Sequence, residues 1–87
     1  MVIVFPAKET WDGNREVVTF PAERNGDRIS CSISIEALTD HFGSDRGSDP
    51  LDTVRNNREP IERKAEGKIR AGLFEGDGSV LLMSRDF

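Results

Sequence analysis

Apolar and polar residues alternate most regularly on either side of Asn25-Gly26, and this pattern predicts a β-hairpin over residues 16–35. Asn-Gly between two strand-like runs favours a two-residue turn, because both central residues must tolerate positive φ. If Arg24 and Asp27 flank the turn, one face of the hairpin is wholly apolar. It comprises Val18, Phe20, Ala22, Ile29, Cys31 and Ile33. A shift of one residue would place these opposite polar positions, so the pattern predicts the register that pairs Phe20 with Cys31.

Helical spacing of apolar residues follows the hairpin. Ser34 is predicted to cap a helix over residues 35–42, which Gly43 ends. Asp49-Pro50 is typical of a second helix start, and the helix is expected to run over about 50–72. Its apolar stripe comprises Leu51, Val54, Ile61, Ala65, Ile69 and Leu73, with Arg58 in the gap. Because this stripe keeps its phase across Pro60, we expect a kink there, or two abutting helices on one surface.

The remaining segments complete an α+β prediction. Residues 7–15 are predicted to form a loop, residues 79–84 a strand after a Gly76-Asp77-Gly78 turn, and residues 2–5 can add a further strand. Pro21 donates no ladder bond, so its strand should be an edge, or its missing donor should point outward. We expect one domain over residues 1–87, with a small antiparallel sheet and the helices on one of its faces.

Three stretches carry a resemblance to a known family. They are FPAERNGDRISCSISIEALTDHFG, DPL and GLFEGDGSVLL, and the likeness covers nearly the whole chain. Taken together they resemble the small bacterial proteins grouped as domain-of-unknown-function family 1488. The resemblance implies a compact α+β domain and a bacterial source, and it implies no activity, substrate or catalytic residue. Pro60 departs from the uninterrupted helical character of this region in the family.

Charge and cysteine content narrow the functional classes. Twelve basic and sixteen acidic residues give a formal net charge of −4, whereas general binders of nucleic acid or anionic membranes usually carry a basic excess. One cysteine cannot form an internal disulfide. The N-terminal MVIVFPAKE has no basic region, and its apolar run is too short for a signal peptide or a membrane span. These features predict a cytoplasmic protein with no membrane association.

Cys31 and His41 are the single cysteine and histidine of the chain, ten residues apart. Cys31 lies in the middle of the predicted apolar face, where a free thiol packs as a small hydrophobe. His41 lies at the end of the first predicted helix, where a charged imidazole is favourable to the helix dipole. A catalytic dyad would need Cys31 turned away from the core, so we reject it. No motif for a cofactor, a metal or another catalytic site is present, and none is predicted.

The second helix and Trp11 supply the candidate binding residues. The helix carries six basic and four acidic residues, most of them in i,i+4 pairs that indicate a salt-bridged solvent face. Arg55 and Arg58 in RNNR are the candidates for contact with a nucleic-acid base or phosphate. We expect Arg58 to lie with its stem against the core edge and its charged head in solvent. Trp11 stands among polar residues, and either covers the core edge or anchors a partner.

Three functional hypotheses remain. The first is a non-enzymatic interaction or accessory module with a protein partner, and association into a homodimer through a sheet edge or leftover apolar surface is left open. The second is a weak nucleic-acid-associated regulator that uses the basic residues of the second helix. The third is an enzyme of unknown type. An exposed surface around Trp11 would favour the first, and a continuous positive stripe the second.

Overall fold

The computed structural model describes residues 2–87, and the α+β architecture predicted from the pattern is confirmed. The described residues form five strands, three α-helices and a final 3₁₀ turn. In chain order these are β1 Ile3–Val4, β2 Thr10–Asp12, β3 Val17–Arg24, β4 Asp27–Ser34, α1 Ile35–Phe42, α2 Pro50–Asn56, α3 Arg58–Ala71, β5 Val80–Leu82 and the 3₁₀ turn Ser84–Asp86. The sheet order is β1-β3-β4-β5, and β2 also pairs with β3.

The predicted hairpin register is confirmed in full. Phe20 pairs with Cys31, and Glu23 pairs with Arg28 across β3 and β4. All six residues of the predicted apolar face are buried, and they pack with α1, α2 and α3 in one core cluster. The opposite face is polar; there Thr19 Oγ1 lies 3.4 Å from Ser32 Oγ. The helices therefore cover one face of the sheet, as predicted.

The expectation of a purely antiparallel sheet is wrong, because β5 pairs in parallel with β4. Cys31 lies opposite Val80, and Ile33 lies opposite Leu82. Parallel neighbours need a long crossover connection, and here the chain from α1 to α3 supplies it. Val80 and Leu82 are fully buried beneath the helices, which accounts for the strongly apolar run in this strand.

The prediction of a loop over residues 7–15 is also wrong in part, because Thr10–Asp12 form β2. The predicted strand over 2–5 is present as the shorter β1. Val4 pairs with Glu23 and Thr10 pairs with Thr19, so residues 5–9 lie opposite residues 20–22. Thus β1 and β2 form one interrupted edge strand, and the bulge between them (residues 5–9, hereafter the edge bulge) interrupts the ladder. Strand β3 is not an edge, since β1 and β2 pair with it on one side and β4 on the other; Pro21 instead lies opposite the edge bulge, outside the pairings of β3 with β1 and β2.

The second predicted helix is two abutting helices, and the break lies at Asn57, three residues before Pro60. The Asn57 side chain donates to the Thr53 carbonyl at 2.8 Å, which closes the end of α2. Pro60 occupies the first turn of α3, where backbone N–H groups have no helical partner in any case. Val54, Ile61, Ala65 and Ile69 are buried in one core, with Leu51 packed beside them. Leu73 lies beyond α3 and is exposed, contrary to its place in the predicted stripe.

Candidate functional site

Glu9, in the edge bulge, joins the two candidate arginines. Its carboxylate accepts a hydrogen bond from Arg55 Nε at 2.5 Å and one from Arg58 Nη1 at 3.3 Å. Only 10% of the Glu9 side chain is exposed. Arg55 also pairs with Asp52 at 3.1 Å, and its pKa is raised, chiefly by the hydrogen bond to Glu9. This group of charged residues ties the edge bulge to α2 and α3.

The Arg58 side chain is only 18% exposed, and the expectation that its charged head extends into solvent is wrong. Besides Glu9, it donates to Glu62 at 2.7 Å and to the Pro6 carbonyl at 3.0 Å. Its guanidinium lies 5.5 Å from the centroid of Phe20, within the range of a cation–π interaction. Arg58 therefore satisfies polar groups of the edge bulge and covers the core beneath it. Because its guanidinium is already paired with Glu9 and Glu62, Arg58 is not placed to bind a phosphate.

Trp11 lies on β2, close to this charged group. It pairs with the buried Val18, and directly opposite residues project to the same face, so its indole lies on the helix side of the sheet. A Cβ at Gly13 would lie 3.3 Å from the indole Nε1, so the ring leans over the Gly13 backbone. Trp11 nevertheless remains 38% exposed. It covers the core edge and still presents part of the ring to solvent.

The structure thus brings the three predicted site residues to one region, since α2 contacts β2 and Arg55 is held by Glu9, two residues before Trp11. Glu9 was missed. Its pairing with residues 46 and 49 positions later has no local signature in the sequence. We call the surface formed by Trp11, Glu9 and Arg55 the Trp11 surface.

Most other basic residues of α2 and α3 are paired, as the i,i+4 pattern predicted. Arg58–Glu62, Arg63–Glu59 and Arg70–Glu66 are ion pairs. The expected Arg55–Glu59 pair is not among the ion pairs of the described residues, because Arg55 turns toward Glu9 and Asp52. The helices present alternating charges here and not a continuous positive stripe.

Cys31 and His41 have separate environments. Cys31 is fully buried on the core face, and desolvation raises the pKa of its thiol to about 12, although Arg58 opposes that shift. His41 is exposed, and its Nε2 lies 2.9 Å from the Ser84 carbonyl. A thiol with this pKa has almost no thiolate near neutral pH, and the thiolate is the nucleophilic form.

Ser84 brings a hydroxyl, an imidazole and a carboxylate together, and no motif in the sequence indicates this arrangement. Its Oγ donates to Asp40 Oδ2 at 2.5 Å and lies 3.3 Å from His41 Nε2. In a catalytic triad the hydroxyl donates to the imidazole, and the carboxylate orients the other ring nitrogen. Here the carboxylate accepts the hydrogen bond of the hydroxyl, and His41 Nε2 lies nearest a carbonyl, so the order of contacts needed for nucleophile activation is absent. These contacts instead join the 3₁₀ turn to α1.

Two features of residues 2–87 bear on metal binding and membrane insertion. No group of three or more His, Cys, Asp or Glu side chains is placed to hold a metal ion. No helix in this range combines the length and the apolar character that crossing a membrane requires.

Comparison with known proteins gives one consistent set of relatives. A family model described as "Protein of unknown function (DUF1488)" matches residues 3–82. The uncharacterized protein YrdB of Escherichia coli K12 is 38% identical over 80 residues, which are 92% of this chain and 94% of YrdB. YrdB of Shigella flexneri is 36% identical over the same shares. A crystal structure of a DUF1488 protein of unknown function from Shewanella loihica PV-4 superposes with a TM-score of 0.80 at 25% identity, covering 92% and 90% of the two chains.

Proposed function

The chain belongs to the DUF1488 family, whose function is unknown, and from that premise we propose that it is a non-enzymatic, cytoplasmic interaction module that binds a protein partner through the Trp11 surface. The observation that carries the proposal is the partly exposed indole of Trp11 beside a half-exposed Arg55. Tryptophan and arginine are the residue types most enriched at interface hot spots.

The Trp11 surface is held in place by neighbouring residues before any partner binds, which supports this proposal. The Arg55 side chain is held by Glu9 and Asp52, and the backbone of Trp11 is held by the ladder between β2 and β3. A side chain that is already fixed loses less conformational entropy when a partner binds, so more of its contact energy appears as affinity. The edge bulge also interrupts the outer ladder. An incoming strand therefore has only three residues of β2 to pair with, which favours recognition by side chains.

The buried thiol and the arrangement around Ser84 support the non-enzymatic part of the proposal. Neither provides a nucleophile aligned with a base. We further propose that any homodimer uses this same surface, because its exposed aromatic ring is the largest apolar group near a sheet edge.

Quantitative affinity purification from the source bacterium tests the proposal. The tagged wild-type chain should enrich a specific protein, and Trp11→Ala should reduce that enrichment by about tenfold or more, as a hot-spot residue does. Thr39→Ala, at an exposed position of α1, is the matched control and should retain it. If the Trp11→Ala chain, folded as judged by circular dichroism, captures the same proteins in the same amounts, the Trp11 surface is not the binding site.

A further inference from the structure

Leu73 is a large apolar residue that is 58% exposed just beyond α3. The helix ends in a Schellman motif: Gly72 N–H donates to the Ile69 carbonyl at 3.2 Å and Leu73 N–H to the Lys68 carbonyl at 2.9 Å. In this motif the residue after the glycine usually packs against a side chain in the last turns of the helix. Those positions here are Lys68 and Gly67, which offer no apolar side chain. Leu73 therefore lacks its usual intramolecular partner.

Nothing in the structure of the described residues requires a glycine at position 67. It is exposed in the interior of α3, its φ is not positive, and a Cβ built there would have no heavy atom within 4 Å. Glycine destabilises an exposed helix interior relative to alanine. Its effect is to leave open space beside Leu73, where another molecule can approach the helix backbone.

This space is a groove of about 440 Å³ between α3 and β5 (hereafter the Gly67 groove). It is lined by Arg63, Lys64, Gly67, Lys68, Leu73, Leu82 and Asp86. Asp86 is its single carboxylate, and that group already accepts hydrogen bonds from Lys68 at 3.1 Å and from Met83 N–H at 2.7 Å. The lining is otherwise aliphatic or cationic.

Two cations at the groove, Lys64 and Arg63, can pair with a new partner. Lys64 has no ion pair among the described residues, and its ammonium lies 5.9 Å from the centroid of Phe87. Arg63 pairs with Glu59, but both side chains are more than 70% exposed, so the pair is easily exchanged. Carboxylates are the complementary groups. Because the chain as a whole has a net charge of −4, a short acidic segment fits better than an extended polyphosphate.

We propose that the Gly67 groove binds an acidic peptide segment of a partner protein, in which one large aliphatic side chain is flanked by Asp or Glu. The aliphatic side chain occupies the space over Gly67 and covers Leu73, and the flanking carboxylates pair with Lys64 and Arg63. This goes beyond the proposed function, since it uses other residues and a different chemistry of recognition.

An NMR titration of the ¹⁵N-labelled chain at low salt tests this proposal. The probe is the synthetic peptide acetyl-Gly-Glu-Asp-Leu-Asp-Glu-Gly-amide, and a second peptide has Ser in place of Leu. We expect saturable shift changes over residues 63–74 with the leucine peptide, and about tenfold weaker binding of the serine peptide. Equal binding of the two peptides would show attraction of charge alone and overturn the proposal, as would no saturable binding or shifts confined to other residues.

Variants of Gly67 test whether the open space beside Leu73 is where the peptide binds. Gly67→Leu places an aliphatic side chain beside Leu73 within the same helix, so it should weaken the leucine peptide about tenfold while the chain stays folded. Gly67→Ala leaves most of the space and should retain binding within about threefold. Undiminished binding to Gly67→Leu contradicts the proposal. Trp11→Ala should leave this titration unchanged, so failure here is distinguishable from failure of the Trp11 surface.

Discussion

At the scale of single residues, burial decides the chemistry of Cys31. Its side chain is fully buried opposite Phe20, and desolvation raises its pKa to about 12. A neutral, inaccessible thiol has neither the charge nor the approach path that a nucleophile needs. Its effect on the fold is that of a small apolar residue in a close-packed core.

We predict that thiol reagents label Cys31 only when the chain unfolds. At pH 8, labelling of the native chain should be at least about 100-fold slower than in denaturant, because the native thiolate is both rare and covered. Ser30→Cys in a Cys31→Ala background is the control. Residue 30 is exposed on the other face of β4, so that thiol should react rapidly in the native state. Rapid native labelling of Cys31 would reopen the question of catalysis.

Glu9 is the residue on which the edge bulge depends, since both arginines converge on its carboxylate. Glu9→Gln removes the carboxylate that Arg55 and Arg58 share and leaves the partly buried Arg58 with Glu62 alone, so we predict a loss of about 1–2 kcal/mol in the free energy of unfolding. Glu59→Gln breaks an ion pair of similar length that is exposed at both ends, and it should have no measurable effect. Urea denaturation of the three proteins measures the difference. Equal stability of the two variants would contradict the structural role given to Glu9.

At the scale of elements, the junction of α2 and α3 is set by Asn57 and not by Pro60. Asn57 is not helical, with φ −131° and ψ 29°, and its side chain bonds the end of α2. Pro60 removes a donor that the first turn of α3 does not use. The two helices still present one apolar surface, because the break is a single residue.

This account predicts different effects of two substitutions. Pro60→Ala should change the free energy of unfolding by no more than about 1 kcal/mol, since no helical hydrogen bond is restored. Asn57→Ala should destabilise by about 1 kcal/mol through loss of the bond to Thr53. Thermal unfolding followed by circular dichroism checks both. A gain near 3 kcal/mol in Pro60→Ala would mean that Pro60 strains a helix interior after all.

How far each element could be predicted depends on how local its determinants are. The hairpin register follows from one Asn-Gly turn and residues within ten positions of it, and both helix starts follow from the caps Ser34 and Asp49. The direction of β5 depends on the path of the whole helical crossover, which apolar periodicity does not specify. Strand β2 is three residues long and mostly polar, so its own residues do not predict a strand. It is a strand because it pairs with β3.

The candidate site also could be predicted only as far as its determinants are local in sequence. Residue type singles out Trp11, because tryptophan is enriched at interface hot spots, and RNNR on the second predicted helix singles out Arg55 and Arg58. The convergence of Arg55 and Arg58 on Glu9 could not be predicted, since a carboxylate pairs with whichever cation the tertiary fold brings near it. Leu73 was assigned to the core by spacing alone, and the glycine at position 72 instead ends the helix before it.

At the scale of the whole molecule, charge argues against general nucleic-acid binding. Arg58 and Arg70 are each paired with a carboxylate one turn away, and the chain has a net charge of −4, so few phosphates could be neutralised. We predict no binding tighter than about 100 μM to duplex or single-stranded DNA or RNA at low salt, within the range of weak non-specific association. Fluorescence anisotropy is the measurement. Micromolar binding that falls steeply with salt, and falls further in Arg55→Ala and Arg58→Ala, would favour the nucleic-acid hypothesis instead.

If a protein partner covers Trp11, the fluorescence of this residue should report the binding, because it is the single tryptophan of the chain. The partner obtained by affinity purification is titrated into the purified chain, after its own tryptophans have been replaced by phenylalanine. We expect that free Trp11 is quenched by acrylamide, and that saturation with the partner shifts its emission to the blue and lowers the quenching constant. Emission and quenching that stay unchanged while the partner is bound would contradict the account.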